Sequence, residues 1–135
     1  MLRPLETPDV ERAVRRLLDQ EVEAIAVCLL HSYANPAHEH QVKSVVARLA
    51  PDLPVCISAE VLPEIKEYER TSTTVINTYV KPVVARYLAT LTAELKRMGV
   101  RAPVLLMQSN GGLTTARAAA EMPMNIIESG PAAGV

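Results

Sequence analysis

The amino-acid sequence predicts an α/β fold: a parallel strand–helix–strand unit, then a long helix, then further short strands. Three observations carry that reading. Ala24 to Leu30 is an unbroken apolar run of strand length, the pattern of a strand covered on both faces in a parallel sheet. Hydrophobic residues then recur at helical spacing before a second short apolar run, Val55-Cys56-Ile57-Ser58. Further on, Val75, Ile76, Tyr79, Val80, Val83, Val84, Tyr87, Leu88, Leu91, Leu95 and Met98 keep helical phase as far as Gly99.

Each element has its own local cause. Thr7-Pro8-Asp9 supplies an N-cap, a proline at the first helical position and an acidic first turn. Val10, Ala13, Val14, Leu17 and Leu18 form the stripe of that helix, which should end near Gln20. His31 to Asn35 is a loop. Pro36 opens a second helix with Val42, Val45, Val46 and Leu49 on one side, and Pro51-Asp52-Leu53-Pro54 stops it. Residues 23–58 thus read as a βαβ unit with a right-handed crossover, and Cys28 and Cys56 are expected to be buried in its strands. The charged stretch from Pro63 to Arg70 marks the expected domain boundary. Pro82 lies inside the long helical pattern, where it either kinks one helix or separates two. Gly99 suits the position after a helix C-terminus. Pro103 to Gln108 reads as a third buried strand, Ser109-Asn110-Gly111-Gly112 as its turn, Thr114 to Ala120 as a short Ala-rich helix and Met124 to Ile127 as a fourth strand. Ser129 to Val135 is a Gly-rich turn that opens a helix at Pro131. A helix of so few residues is unfavourable alone, so the sequence reads as a piece of a longer protein.

The 135 residues suit one domain or parts of two. Apolar residues make up 49% of the chain, with four Tyr and no Phe or Trp, so the core must be aliphatic. The net charge is −1 and both signs are interspersed, without the basic stripe that nucleic acid requires. The two cysteines lack metal-ligand spacing and read as buried thiols. No signal-peptide pattern opens the chain, and Ala24 to Leu30 is far too short to span a bilayer. A cytoplasmic protein without a membrane or nucleic-acid partner is expected.

Ligands of open α/β sheets bind beyond the carboxyl ends of the strands. Three loops take that position: His31-Ser32-Tyr33, Ser58-Ala59-Glu60 and Ser109-Asn110-Gly111-Gly112. The last could bring backbone amides to an anion or be an ordinary tight turn. Ser129 and Gly130 open a helix that could face a phosphate, or serve close packing. Glu64, Glu67 and Glu69 offer carboxylates and Arg70 a fixed cation; the alternative is a solvated first helical turn. His31 ends a strand and either orients a ligand or bonds the loop. His38 and His40, two apart, fall on different sides of a helix and make no metal site.

Four segments in series change the weight of these alternatives. They are His31 to Glu39 (His-Ser-Tyr-Ala-Asn-Pro-Ala-His-Glu), Ser58 to Val80 with its Glu67-Tyr68-Glu69-Arg70-Thr71-Ser72-Thr73-Thr74 centre, Met107 to Gly112, and Ser129 to Val135. In that order they resemble the hydantoinase A/5-oxoprolinase family, over nearly the whole chain. The resemblance implies a fragment of an actin/Hsp70-like (ribonuclease H-like) two-lobed ATPase fold. Residues 1–62 would end the first lobe, and 63–135 would hold the connecting helix and the start of the second. It implies ATP-dependent ring opening of a cyclic amide such as a hydantoin or 5-oxoproline, with ATP activating the carbonyl oxygen and magnesium bridging the phosphates. Homologous subunits of ketone carboxylases share these segments, and a non-catalytic interface module is the remaining alternative. A B-type subunit or domain is the implied partner. Glu67, Arg70 and His31 become the implied catalytic residues, and Ser109, Asn110, Gly111, Gly112, Ser129 and Gly130 the implied cofactor-binding residues, with no protein metal site. The family's phosphate loop, Asp followed by Gly-Gly-Thr, is not in this sequence: Asp9, Asp19 and Asp52 all lack that context. ATP hydrolysis by the fragment alone is therefore not expected.

Overall fold

A computed structural model describes residues 4–134. The chain divides into two compact units, Met1–Thr78 and Tyr79–Val135.

The first unit is built on a parallel pair of strands. Helix α1 spans Thr7–Leu18 and is followed by β1, Ile25–Val27. Glu6 rather than Thr7 takes the cap position of α1, without a side-chain cap, and Asp9 instead pairs with Arg12 in the next turn. Helix α2, Ala37–Leu49, crosses over to β2, Val55–Ile57. The strands pair in parallel with Ile25 opposite Val55, Ala26 opposite Cys56 and Val27 opposite Ile57, the βαβ unit expected from the sequence. Val10, Val14, Ile25, Val27, Val45, Val46 and Ile57 form its aliphatic core. Burying each such side chain stabilises the fold by about 1.5–3 kcal/mol. Cys56 is buried, but Cys28 is only half-buried, because it lies one residue past the end of β1. Ser58-Ala59-Glu60, expected as a loop, begins a single helical turn, α3, Ser58–Val61.

Helix α4 runs from Glu67 to Arg97 as one assigned helix with Pro82 inside it. It ends as the sequence predicts: Gly99 has φ +85°, and its amide and that of Val100 bond back to the Lys96 and Leu95 carbonyls.

The second unit departs further from expectation. Strand β3, Leu105–Met107, pairs antiparallel with β4, Leu113–Thr115, so residues 105–115 form a hairpin. The strand expected to be buried is not: Leu105 is 51% exposed. The helix expected from Thr114 begins two residues later as α5, Ala116–Glu121, capped by the Thr115 hydroxyl on the Ala118 amide at 3.2 Å. Met124 to Ile127, expected as a strand, instead falls largely in a 3₁₀ turn, Pro123–Ile126. Proline at the start fixes φ near helical values, which favours the tight turn over an extended chain. Helix α6, Ser129–Ala133, begins two residues before Pro131. Val135, part of the expected terminal turn, lies outside the described residues.

Candidate functional site

A buried polar network gathers beyond the carboxyl ends of β1 and β2. At its centre is Glu39, in the first turn of α2, with no exposed surface. Its Oε1 accepts from the Leu29 amide at 2.7 Å and from the Ser58 hydroxyl at 2.7 Å. Its Oε2 accepts from the Ala59 amide at 2.9 Å, satisfying one of the free amides at the start of α3. The Ser32 hydroxyl lies 3.0 Å from that of Ser58 and donates to the Leu29 carbonyl at 3.0 Å. Burial pushes the Glu39 carboxyl up. Hydrogen bonds from the Leu29 and Ala59 amides and the Ser58 hydroxyl, with the Ser32 hydroxyl behind Ser58, outweigh burial and hold it below the ordinary glutamate value.

Arg70 meets the same loop from α4. It is 1% exposed. Its Nη2 donates to the Leu29 carbonyl at 2.8 Å and its Nη1 to the Glu64 carbonyl at 3.1 Å, while the buried Nε has no partner. The guanidinium carbon sits 5.7 Å from the centre of the Tyr33 ring, within cation–π range. Leu29 is therefore held at both ends, its amide by an anion and its carbonyl by a cation. Glu67 is exposed, and its Oε1 lies 4.0 Å from Arg70 Nη2, too far for a hydrogen bond. His31 is exposed, has φ +57°, and stacks obliquely on Tyr33 with ring centres 6.2 Å apart. A left-handed backbone is uncommon at a non-glycine residue. The His31 carbonyl accepts from the Ala34 and Asn35 amides, which close the loop around it. The structure thus sets His31 and Arg70 against Tyr33, with Glu67 beside Arg70; His31 and Glu67 are exposed and Arg70 is buried. Burial, foremost, raises the Cys28 thiol, with the Glu39 carboxylate adding to it and Thr74, Thr71 and Arg70 opposing.

The remaining candidates lie in the second unit. The Ser109–Gly112 segment turns the β3–β4 hairpin. Its amides are largely committed: Ser109 to the Asn125 carbonyl at 2.7 Å, Gly111 to the Gln108 carbonyl at 3.0 Å, Gly112 to Asn110 Oδ1 at 2.9 Å. Gly111 has φ +84°, which explains the glycine. A Cβ on Gly112 would stand 3.0 Å from Gln108 Oε1 and 3.1 Å from Asn110 Oδ1. The Ser109 hydroxyl donates to the Asn125 carbonyl at 3.0 Å and accepts from the Glu128 amide at 3.1 Å, which ties the turn to the residues before Ser129 and Gly130. Helix α6 has five residues, too few for a substantial dipole. A phosphate cradle needs free, convergent amides, and the amides of Ser109, Gly111 and Gly112 do not supply them. Among the described residues no three His, Cys, Asp or Glu side chains cluster as metal ligands, and no helix is long and apolar enough to cross a membrane.

Sequence reasoning places Ser32, Tyr33 and Ser58 in the candidate loops but passes over Glu39. The available signal was an acid one turn into a helix that follows a strand and opens with proline.

The α/β fold corresponds to a known class of protein. One family profile, "Hydantoinase/oxoprolinase N-terminal region", matches residues 1–50, and another, "Hydantoinase/oxoprolinase", matches residues 70–135. The chain belongs to the hydantoinase/oxoprolinase family, whose members include ATP-dependent enzymes. It is 40% identical over 134 residues to an uncharacterized protein of Methanocaldococcus jannaschii, covering 99% of this chain and 20% of that one. It is 40% identical over 129 residues to caprolactamase subunit alpha of Pseudomonas jessenii, covering 96% and 18%. The crystal structure of that ATP-dependent caprolactamase matches with a TM-score of 0.90 at 39% identity, over 97% of this chain and 19% of that one. The nucleotide-free structure of acetone carboxylase matches with a TM-score of 0.82 at 30% identity, again over 97% and 19%. The chain thus spans about a fifth of the length of these relatives.

Proposed function

We propose that this chain is part of an ATP-dependent enzyme that opens a cyclic amide of the hydantoin, 5-oxoproline or lactam type. The observation that supports this most is the similarity to caprolactamase, with a TM-score of 0.90 at 39% identity over 97% of the chain. Residues 1–62 close the first lobe of a two-lobed, actin/Hsp70-like ATPase. Residues 63–135 supply the connecting helix and the beginning of the second lobe. His31 and Glu67 reach the substrate side, and Arg70 provides a fixed positive charge behind them. Ser109, Asn110, Gly111, Gly112, Ser129 and Gly130 would border the bound nucleotide, and residues outside this sequence would hold its phosphates and magnesium. A B-type subunit or domain completes the enzyme, which works in the cytoplasm.

A second reading has its own support: the match to acetone carboxylase at a TM-score of 0.82 favours a subunit of an ATP-dependent ketone carboxylase. One assay separates the two. The protein as its gene encodes it, co-expressed with any adjacent B-type gene, is offered ATP with 5-oxoproline, hydantoin or caprolactam, and separately acetone with bicarbonate. Ring opening coupled to ATP consumption is expected. Carboxylation without amide hydrolysis establishes the second reading, and inactivity on both classes overturns both.

A further inference from the structure

The loop after β1 holds one aromatic side chain in a fixed place. The chain has four tyrosines and no Phe or Trp. Tyr68, Tyr79 and Tyr87 lie on α4, whereas Tyr33 stands beyond the carboxyl end of β1. Apart from His31, it is the only ring in the three strand-end loops. Tyr33 is half-buried. The Arg70 guanidinium carbon lies over its ring, 5.7 Å from the centre, and His31 tilts against it with ring centres 6.2 Å apart. Arg70 itself is out of a ligand's reach: it is 1% exposed, and its two Nη atoms donate to the Glu64 and Leu29 carbonyls. A group so placed acts on a ligand only through what it packs against. The backbone under Tyr33 is tied down as well. The neighbouring Ser32 is 2% exposed, and its hydroxyl bonds the Leu29 carbonyl and meets that of Ser58. His31 is held at φ +57°. Such conformations persist only where the surroundings over-determine them, and they cluster at ligand clamps and active sites.

We propose that Tyr33 is the substrate-contacting residue of this loop: its half-exposed ring packs against the plane of the cyclic amide, and Arg70 is the positioning residue that holds the ring. The inference rests on the cyclic-amide reading and adds the side chain that selects a flat, neutral ring. An amide group is planar. An aromatic side chain offers such a group a flat apolar face, while a few polar neighbours fix its orientation. His31 and Glu67, both exposed, are left for the polar edge of the amide. Because the loop is ordered before the ligand arrives, little conformational freedom is lost on binding.

Steady-state kinetics test this on the protein as its gene encodes it, co-expressed with any adjacent B-type gene, with 5-oxoproline, hydantoin and caprolactam as probes. Tyr33→Ala is expected to raise the KM for the amide that the parent opens by at least about tenfold, with kcat and the KM for ATP within about threefold, as for lost substrate binding. Tyr33→Phe keeps the ring and should recover most of that loss. A merely structural tyrosine would lower the active fraction, and so kcat, while leaving both KM values unmoved. If Tyr33→Ala does not fold, Tyr33→Leu, which keeps apolar bulk without a flat face, decides in its place, with a rise in amide KM of at least about threefold expected. An unchanged amide KM in the folded variant, an equal rise for ATP, or a Tyr33→Phe variant as weak as Tyr33→Ala overturns the proposal and leaves the cyclic-amide reading standing. A parent that opens none of these amides overturns that reading and the proposal together.

Discussion

Glu39 and Arg70 carry opposite charges, are both buried, and both bond to Leu29. A charge in such a place is stable only because its hydrogen bonds replace water. Because the carboxyl of Glu39 is held below its ordinary value, its contribution to stability is fully present above that ordinary value. It is lost as pH falls through the depressed folded value. The Glu39→Gln variant should therefore be less stable at pH 7, by about 1.5–3 kcal/mol, the range for hydrogen bonds to charged groups. Its melting temperature should also fall less between pH 7 and pH 3 than that of the parent. Equal slopes in a calorimetric pH series would show that another group carries the acid sensitivity. Arg70→Ala removes the charged donor to the part-buried Leu29 and Glu64 carbonyls, and a loss of about 1.5–3 kcal/mol in urea denaturation is expected. Arg70→Lys keeps the charge but not the planar fork that reaches Leu29 and Glu64 together, so it should recover less than half of that loss.

At the scale of elements, the β3–β4 hairpin depends on its turn. Gly111→Ala puts a Cβ where φ is +84°, which costs about 1–2 kcal/mol even though nothing lies within 4 Å of that Cβ. Faster amide hydrogen exchange in Leu106 and Thr114, with β1 and β2 unchanged, is the expected result. This cost falls on stability, so a loss of activity in such a variant must be compared with its melting before it is read as a site effect. The elements legible in the sequence were those with a long period or a strong stop signal: the βαβ unit between its prolines, and α4 up to Gly99. Met124 to Ile127 was not, because a short apolar run has no period to separate strand from helical turn, and Pro123 decides locally. Ser58 to Glu60 was misread because α3 is supported by Glu39, which is 19 residues away in sequence from Ser58. Of the candidate site, the residues near Tyr33 could be named from the sequence. The burial of Arg70 could not, since it arises from a contact with Leu29 across 41 residues.

Over the whole molecule, packing is uneven. The aliphatic cluster lies entirely within the first unit, whereas the buried hydrophobic residues described in the second are Leu88 and Ala119. Protection from hydrogen exchange scales with such burial. Amides of α2, β1 and β2 should exchange most slowly, by at least about tenfold relative to those of the β3–β4 hairpin, when the isolated 135-residue chain is measured by mass spectrometry. Comparable rates in the two units would refute a stability concentrated in the first. The Leu29 clasp has a kinetic consequence as well. Its bonds join residues 10, 20 and 41 positions apart, so they can close only after the crossover helix has brought the strands together. The clasp then belongs to the native side of the folding barrier. In a chevron plot, Glu39→Gln should leave the refolding limb nearly unmoved and raise the unfolding limb, so that the clasp governs how long the first unit stays folded rather than how fast it folds.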